Sequence, residues 1–259
     1  MNRTVPPPMP KEQILIALDA RGDHLEALRL AIAWATQTQA ELLGLFVEDE
    51  DLLQVAELPY AWEVRLWSAQ ERQLDGQAMA RSLRALASRV RGDLAREAKQ
   101  AQLRWSFQTR RGHPLEVVLA ARGEAAALVV GGRRRGRPLG KAGQPEAVPS
   151  GLGLVLTDSP AAQRALEVAL AIARGAGLDL ESLTLGEGVG GNRLKRLEQV
   201  GMAGLRDGGR LGRLADLPTR VFRRQWAAVV MPADLVLDQD PEQRLKLLTG
   251  LSCPLVLVR

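Results

Sequence analysis

The sequence predicts an α/β protein: two doubly wound parallel-sheet repeats in one chain, the second of them reduced. Three observations carry that prediction. Short uncharged apolar runs such as residues 13–18 (QILIAL) and 125–130 (AAALVV) have the length and composition of strands buried on both faces. Segments with apolar residues at helical spacing separate those runs, and strands alternating with helices make a parallel sheet. Finally, residues 14–47 and 152–185 carry their apolar positions nearly in register, so the strand–helix–strand unit occurs twice.

Taken in order, the chain starts with a proline-bearing stretch, MNRTVPPPMPKE, that lacks the apolar core of a secretory signal and is expected to be a short extended tail over residues 1–11. Residues 12–141 form the first expected domain. Strand 13–18 leads into Asp19 and then a helix over 24–38, with Leu25, Leu28, Ala31, Ile32 and Ala35 on one stripe and Asp23 as its N-cap. Residues 41–47 (ELLGLFV) are the next strand, joined to the first by a right-handed crossover. An acidic run, Glu48, Asp49, Glu50 and Asp51, is followed by an amphipathic piece over 52–67 that holds Tyr60, Trp62 and Trp67 and reads as a cap or partner surface. A long helix is expected over 71–102, with Leu83, Leu86, Val90, Leu94 and Ala98 on its apolar stripe. Residues 103–109 alternate apolar and polar as an outer strand does, and Pro114 sits in the first turn of the helix after it.

The strand at 125–130 empties into Gly131-Gly132 and then Arg133, Arg134, Arg135, Gly136, Arg137, Gly140 and Lys141, a stretch with five basic residues and no acid. A buried strand ending in a basic, glycine-rich loop is how open α/β sheets present an anion site at their carboxyl ends. A solvated turn with a charge cluster reads the same way in sequence.

Residues 142–151 form a Pro/Gly linker, and 152–259 the second domain, abbreviated. It restarts with strand 152–157, Asp158, a helix over 161–176 and a strand over 178–185. A short helix at 193–200, a vestigial strand at 202–206 and a helix over 211–225 interrupted by Pro218 are expected next. Residues 226–231 (WAAVVM) are the counterpart of 125–130, but the loop after them has neither glycine nor basic residue. A helix at 241–250 and a strand at 255–258 close the chain, and the first repeat has no such closing strand.

Composition bounds the function. At 259 residues with 46% hydrophobic and 25% charged content, the chain is an ordinary globular protein with no apolar run long enough to span a membrane. One cysteine, Cys253, permits no intramolecular disulfide and no thiolate cluster, and its neighbours Leu251, Pro254 and Leu255 mark it as a small buried hydrophobe. These features place the protein in the cytoplasm. A net charge of +5 raises nucleic acid as a partner, but 3% aromatics offer no stacking platform and no nucleic-acid motif is present. His24 and His113 fall at helix starts, where capping or surface roles are commoner than base catalysis. No catalytic triad, paired carboxylates or metal-ligand spacing can be assembled, so no enzyme is expected. Residues 48–51 can hold a divalent cation, although an acidic run after a strand is more often solvated.

Asp19 after the first strand, the glycine loop after the fourth, and the closing Leu251-Ser252-Cys253-Pro254-Leu255-Val256-Leu257-Val258 together resemble the universal stress protein family, here as a tandem pair. The resemblance covers nearly the whole chain apart from the tail and residues 48–72. It implies a Rossmann-like fold and a regulatory or binding role in the stress response. It also implies ATP across the carboxyl ends of the first, second and fourth strands, with Asp19 and Val47 near base and ribose. The phosphates would rest on a loop patterned Gly-x2-Gly-x9-Gly-(Ser/Thr), for which Gly131, Gly132, Arg133, Arg134, Gly136 and Gly140 stand here. Three residues rather than two separate Gly132 from Gly136, and no Gly-(Ser/Thr) follows at the family's distance, so binding is expected to be weak or lost. Guanidinium groups can replace part of the missing backbone attraction. Two alternatives remain: a nucleotide switch worked by the arginine loop, and an adenine-nucleotide hydrolase of the related type. The family's last strand commonly pairs across a dimer, which the two repeats can mimic within one chain; with no closing strand in the first repeat, either that pairing is altered or 255–258 is shared, and a homodimer is expected. A further protein partner is compatible with this reading.

Overall fold

A computed structural model describes residues 12–20, 24–64, 71–121, 123, 125–131, 151–186 and 205–259. Its strands are β1 (Gln13–Leu18), β2 (Glu41–Asp49), β3 (Trp62–Val64), β4 (Glu71–Gln73), β5 (Trp105–Gly112), β6 (Ala127–Val130), β7 (Gly151–Leu156), β8 (Asp179–Leu185), β9 (Leu205–Leu211), β10 (Ala228–Pro232) and β11 (Leu255–Val258). Its helices are α1 (His24–Thr38), α2 (Glu50–Glu57), α3 (Gly76–Gln100), α4 (Pro114–Ala121), α5 (Ala161–Ala176), α6 (Leu217–Arg224), α7 (Asp234–Leu237) and α8 (Pro241–Gly250).

Nine strands form one sheet in the order β5-β2-β1-β6-β11-β10-β7-β8-β9. Neighbours are parallel throughout except at one place: β11 runs parallel to β10 but antiparallel to β6, pairing Leu255 with Val130 and Val258 with Ala127. This one strand therefore closes both halves. β6 and β10 both border it, so the carboxyl tips of the two halves lie on opposite margins of the sheet. The central strands are the continuous apolar runs, and β11 (LVLV) and β10 (AVVMP) are buried at every position. The two outer strands carry the charge: β5 exposes Gln108 to Arg111, and β9 exposes Arg206, Asp207 and Arg210. Charged margins of this kind oppose the addition of a further strand.

Helices α1, α3 and α5 cover one face, where Trp34, Leu94 and Ile172 meet Ile14, Phe46 and Leu154. Helices α4, α6, α7 and α8 cover the other, where Val118, Val221, Val236 and Leu247 join Leu15, Val47, Val229 and Leu257. α1 and α5 approach so closely that a Cβ on Gly175 would lie 2.6 Å from the Ala33 carbonyl oxygen. Arg164 of α5 also pairs with Glu12 ahead of β1. No helix among the described residues is long and apolar enough to cross a membrane.

Several expectations are corrected. The long helix is shorter: residues 71–73 form a hairpin with Trp62–Val64, and α3 starts at Gly76 because the Asp75 carboxylate accepts from the backbone N–H groups of Gln77 and Ala78. The vestigial strand at 202–206 is the seven-residue β9, pairing along β8 from Leu205 to Leu211. Pro218 does not interrupt a helix, because it occupies the first turn of α6 after a 3₁₀ turn at Leu214–Asp216. Among the described residues the first half contributes four strands to the sheet and the second half five. The expected tail, Asp23 cap, linker residues 142–150 and helix 193–200 lie outside the described residues.

Candidate functional site

In the first half the chain leaves β1 for β2 on one side and returns through β6 on the other. The order reverses between β1 and β6, and at such a reversal the loops after neighbouring strands part and leave a crevice. The register places the expected residues there. Leu18 is level with Phe46 and Ala17 with Val130, so Asp19 stands beside Val47 and Gly131 beside Leu18, one step from Asp19. Asp19 and Gly131 are half-buried. Val47 is 1% exposed, its side chain held in the core against α4, so only its backbone can face a ligand. Gly132, Arg133, Arg134, Gly136 and Gly140 lie outside the described residues.

β2 and β5 run on past these tips. Glu48 is level with Arg111 and 3.8 Å from its Nε, and Asp51 is 3.2 Å from the His113 Nδ1. Asp49 is fully buried and accepts from the Asp51 N–H as the cap of α2. The acidic run is thus a set of ties between β2, α2 and β5. Among the described residues no group of three or more His, Cys, Asp or Glu is placed to hold a metal ion. His24 stands 3.3 Å from Asp93, which also pairs with Arg96, so its imidazole joins α1 to α3. Burial pushes the Cys253 thiol up to about 12, far from the thiolate a nucleophile requires.

The equivalent tips of the second half are built differently. Asp158 follows β7, and the Thr157 hydroxyl accepts from the Ser159 N–H at 3.3 Å. After β10, where the first half has its glycines, the Ala233 N–H donates to the Val258 carbonyl at 2.7 Å and the chain turns at once into α7. That N–H is spent within the sheet, and Ala233 is buried.

A groove lies on the segment that the sequence marked as a cap or partner surface. It spans about 950 Å³ between α2 and the start of α3, lined by Leu53, Ala56 and Leu58 and by Arg81, Arg84 and Arg111. Asp19, Val47 and Gly131 are not part of it. The aromatic content of 52–67 and the arginines of α3 were its visible signals, but their convergence depends on how α2 packs on α3.

No family model matches the sequence, and no curated protein matches it in sequence. The fold is similar to that of a solved universal stress protein from Archaeoglobus fulgidus, over 95% of this chain and 96% of that one, with a TM-score of 0.53 at 10% identity. A putative universal stress protein from Pseudomonas aeruginosa aligns over 96% of this chain and 93% of its own, with a TM-score of 0.48 at 13% identity. The chain has the universal stress protein fold, and at these identities the likeness is one of fold.

Proposed function

We propose that this chain is a cytoplasmic regulatory protein of the universal stress type, without catalytic turnover, that binds ATP weakly at the tips of its first half. The observation that carries the reading is the meeting of Asp19, Val47 and Gly131 at the reversal of strand order. Asp19 is the group suited to the ribose or base, the backbone at Val47 offers hydrogen bonds to the adenine, and the glycine loop with Arg133 and Arg134 attracts phosphate. The altered glycine spacing supports weak rather than tight binding. The regulatory role rests on the fold together with the sequence, in which no catalytic motif can be assembled, and fold alone would not carry it. Homodimerisation belongs to the same proposal, and it would have to use a surface other than β11, whose two edges are already paired within the chain.

A thermal-shift titration tests the nucleotide. ATP at ~100 times its dissociation constant adds about 2.7 kcal/mol of stability, so a rising midpoint over millimolar ATP is expected, and a flat one removes ATP from the account. Incubation with ATP and magnesium is expected to release no phosphate. Steady release, lost in Asp19→Ala, would replace the regulatory reading with the hydrolase.

A further inference from the structure

We infer that the second half completes the candidate site of the first: the loop of residues 251–254, between α8 and β11, presents Ser252 at the tip of β6, where its hydroxyl and N–H donate to a phosphate oxygen of the bound nucleotide. The inference rests on the ATP reading above and adds to it a residue from the other half. Because β11 runs antiparallel to β6, the start of β11 meets the end of β6, and Leu255 stands opposite Val130. One step on, Pro254 is opposite Gly131, so the chain before Pro254 lies beside the chain that leaves β6. A closing strand parallel to β6 would carry this loop to the opposite margin of the sheet. Asp19 and the loop flank β6 on its two sides, in the order β1-β6-β11. Two strand spacings, about 10 Å, separate them, a distance that a sugar and its phosphates span.

The loop holds Ser252 in a fixed setting. Leu251, Cys253 and Pro254 are buried, and the Val229 N–H donates to the Pro254 carbonyl at 3.0 Å. Ser252 alone of the four is half-exposed. Among the described residues neither its hydroxyl nor its N–H has a hydrogen-bond partner. At the other end of β11, by contrast, the Ala233 N–H is bonded to the Val258 carbonyl. An N–H can only donate, so the group that meets it is an acceptor such as a phosphate oxygen. The first turn of α1, which follows the Asp19 loop, reaches the same place: the charge of Glu26 adds to burial in pushing the Cys253 thiol up. That carboxylate opposes a phosphate, so the attraction here falls to the neutral donors of Ser252, in keeping with a weak site.

Calorimetric titration of the native chain and of Ser252→Ala tests this, with ATP and with adenosine as a probe that lacks phosphate. Ser252→Ala is expected to bind ATP about tenfold more weakly, the loss of a hydrogen bond to a charged group, and to bind adenosine as the native chain does. Ser252→Thr keeps the hydroxyl and should restore most of the ATP affinity. An unchanged thermal midpoint without ligand confirms that the variants fold alike. Equal ATP binding by the native chain and Ser252→Ala overturns the proposal and leaves the ATP reading standing, and so do parallel losses of ATP and adenosine. A native chain that binds no ATP removes the ATP reading and this inference with it.

Discussion

At Asp49 the chain passes from β2 into α2, and the four consecutive acids there take four different positions. Glu48 meets Arg111, Asp49 is buried as a cap, Glu50 opens the helix, and Asp51 meets His113. In sequence they read as one patch, because a run of like charges does not reveal which carboxylate the strand end will bury. Cys253 was legible, since its apolar neighbours announced burial. Its thiol is raised from 9.0 to about 12, chiefly by burial. Below pH 9 it is neutral in both folded and unfolded chains and contributes no pH dependence. Above pH 9 the unfolded chain ionises while the folded chain does not, so stability falls towards pH 12 by up to about 1.4 kcal/mol per unit. Urea unfolding at pH 8 and pH 10 should therefore show the native chain losing about 1 kcal/mol more than Cys253→Ala. Equal losses would contradict the burial of this thiol.

Among the elements, those with strong apolar character were legible and those defined by partners were not. α1, α5 and β11 fall where their patterns placed them, because fifteen or so amphipathic residues or an unbroken LVLV run have few alternatives. β9 (LRDGGRL) has no such pattern. It is a strand because β8 offers it an open edge, and its own residues would not have chosen that state. The start of α3 was misplaced for a related reason: residues 71–73 are drawn into a hairpin whose partner lies nine positions earlier. Helix packing supplies a paired test. Gly175→Ala gains up to about 1 kcal/mol in helix propensity, but its methyl would lie 2.6 Å from the Ala33 carbonyl oxygen, and forcing the helices apart costs about 1–3 kcal/mol. Gly92→Ala in α3 meets nothing within 4 Å, so it should keep the propensity gain of up to about 1 kcal/mol. Chemical unfolding is expected to show the first variant destabilised and the second stabilised. Stabilisation of both would mean that α1 and α5 are not in close contact.

For the whole molecule, the mostly parallel α/β sheet was the feature that sequence carried furthest, and the sharing of the closing strand was visible only as one of two options. Without a closing strand of its own, the first half ends at β6 with a bare edge, and β11 satisfies that edge and β10 together. The positions of Asp19, Val47 and Gly131 were legible because they follow from strand ends. The groove on α2 and α3 was not, because it arises from the packing of two helices. The functional account centres on the difference between the two sets of tips: after β10 the Ala233 N–H is bonded to the Val258 carbonyl, and after β6 the chain runs into the glycines Gly131 and Gly132. Calorimetric titration of the full chain with ATP tests it most directly. The account predicts one weak site per chain, lost in Asp19→Ala and kept in Asp158→Ala. Two sites per chain, or a single site that survives Asp19→Ala and disappears with Asp158→Ala, would contradict it.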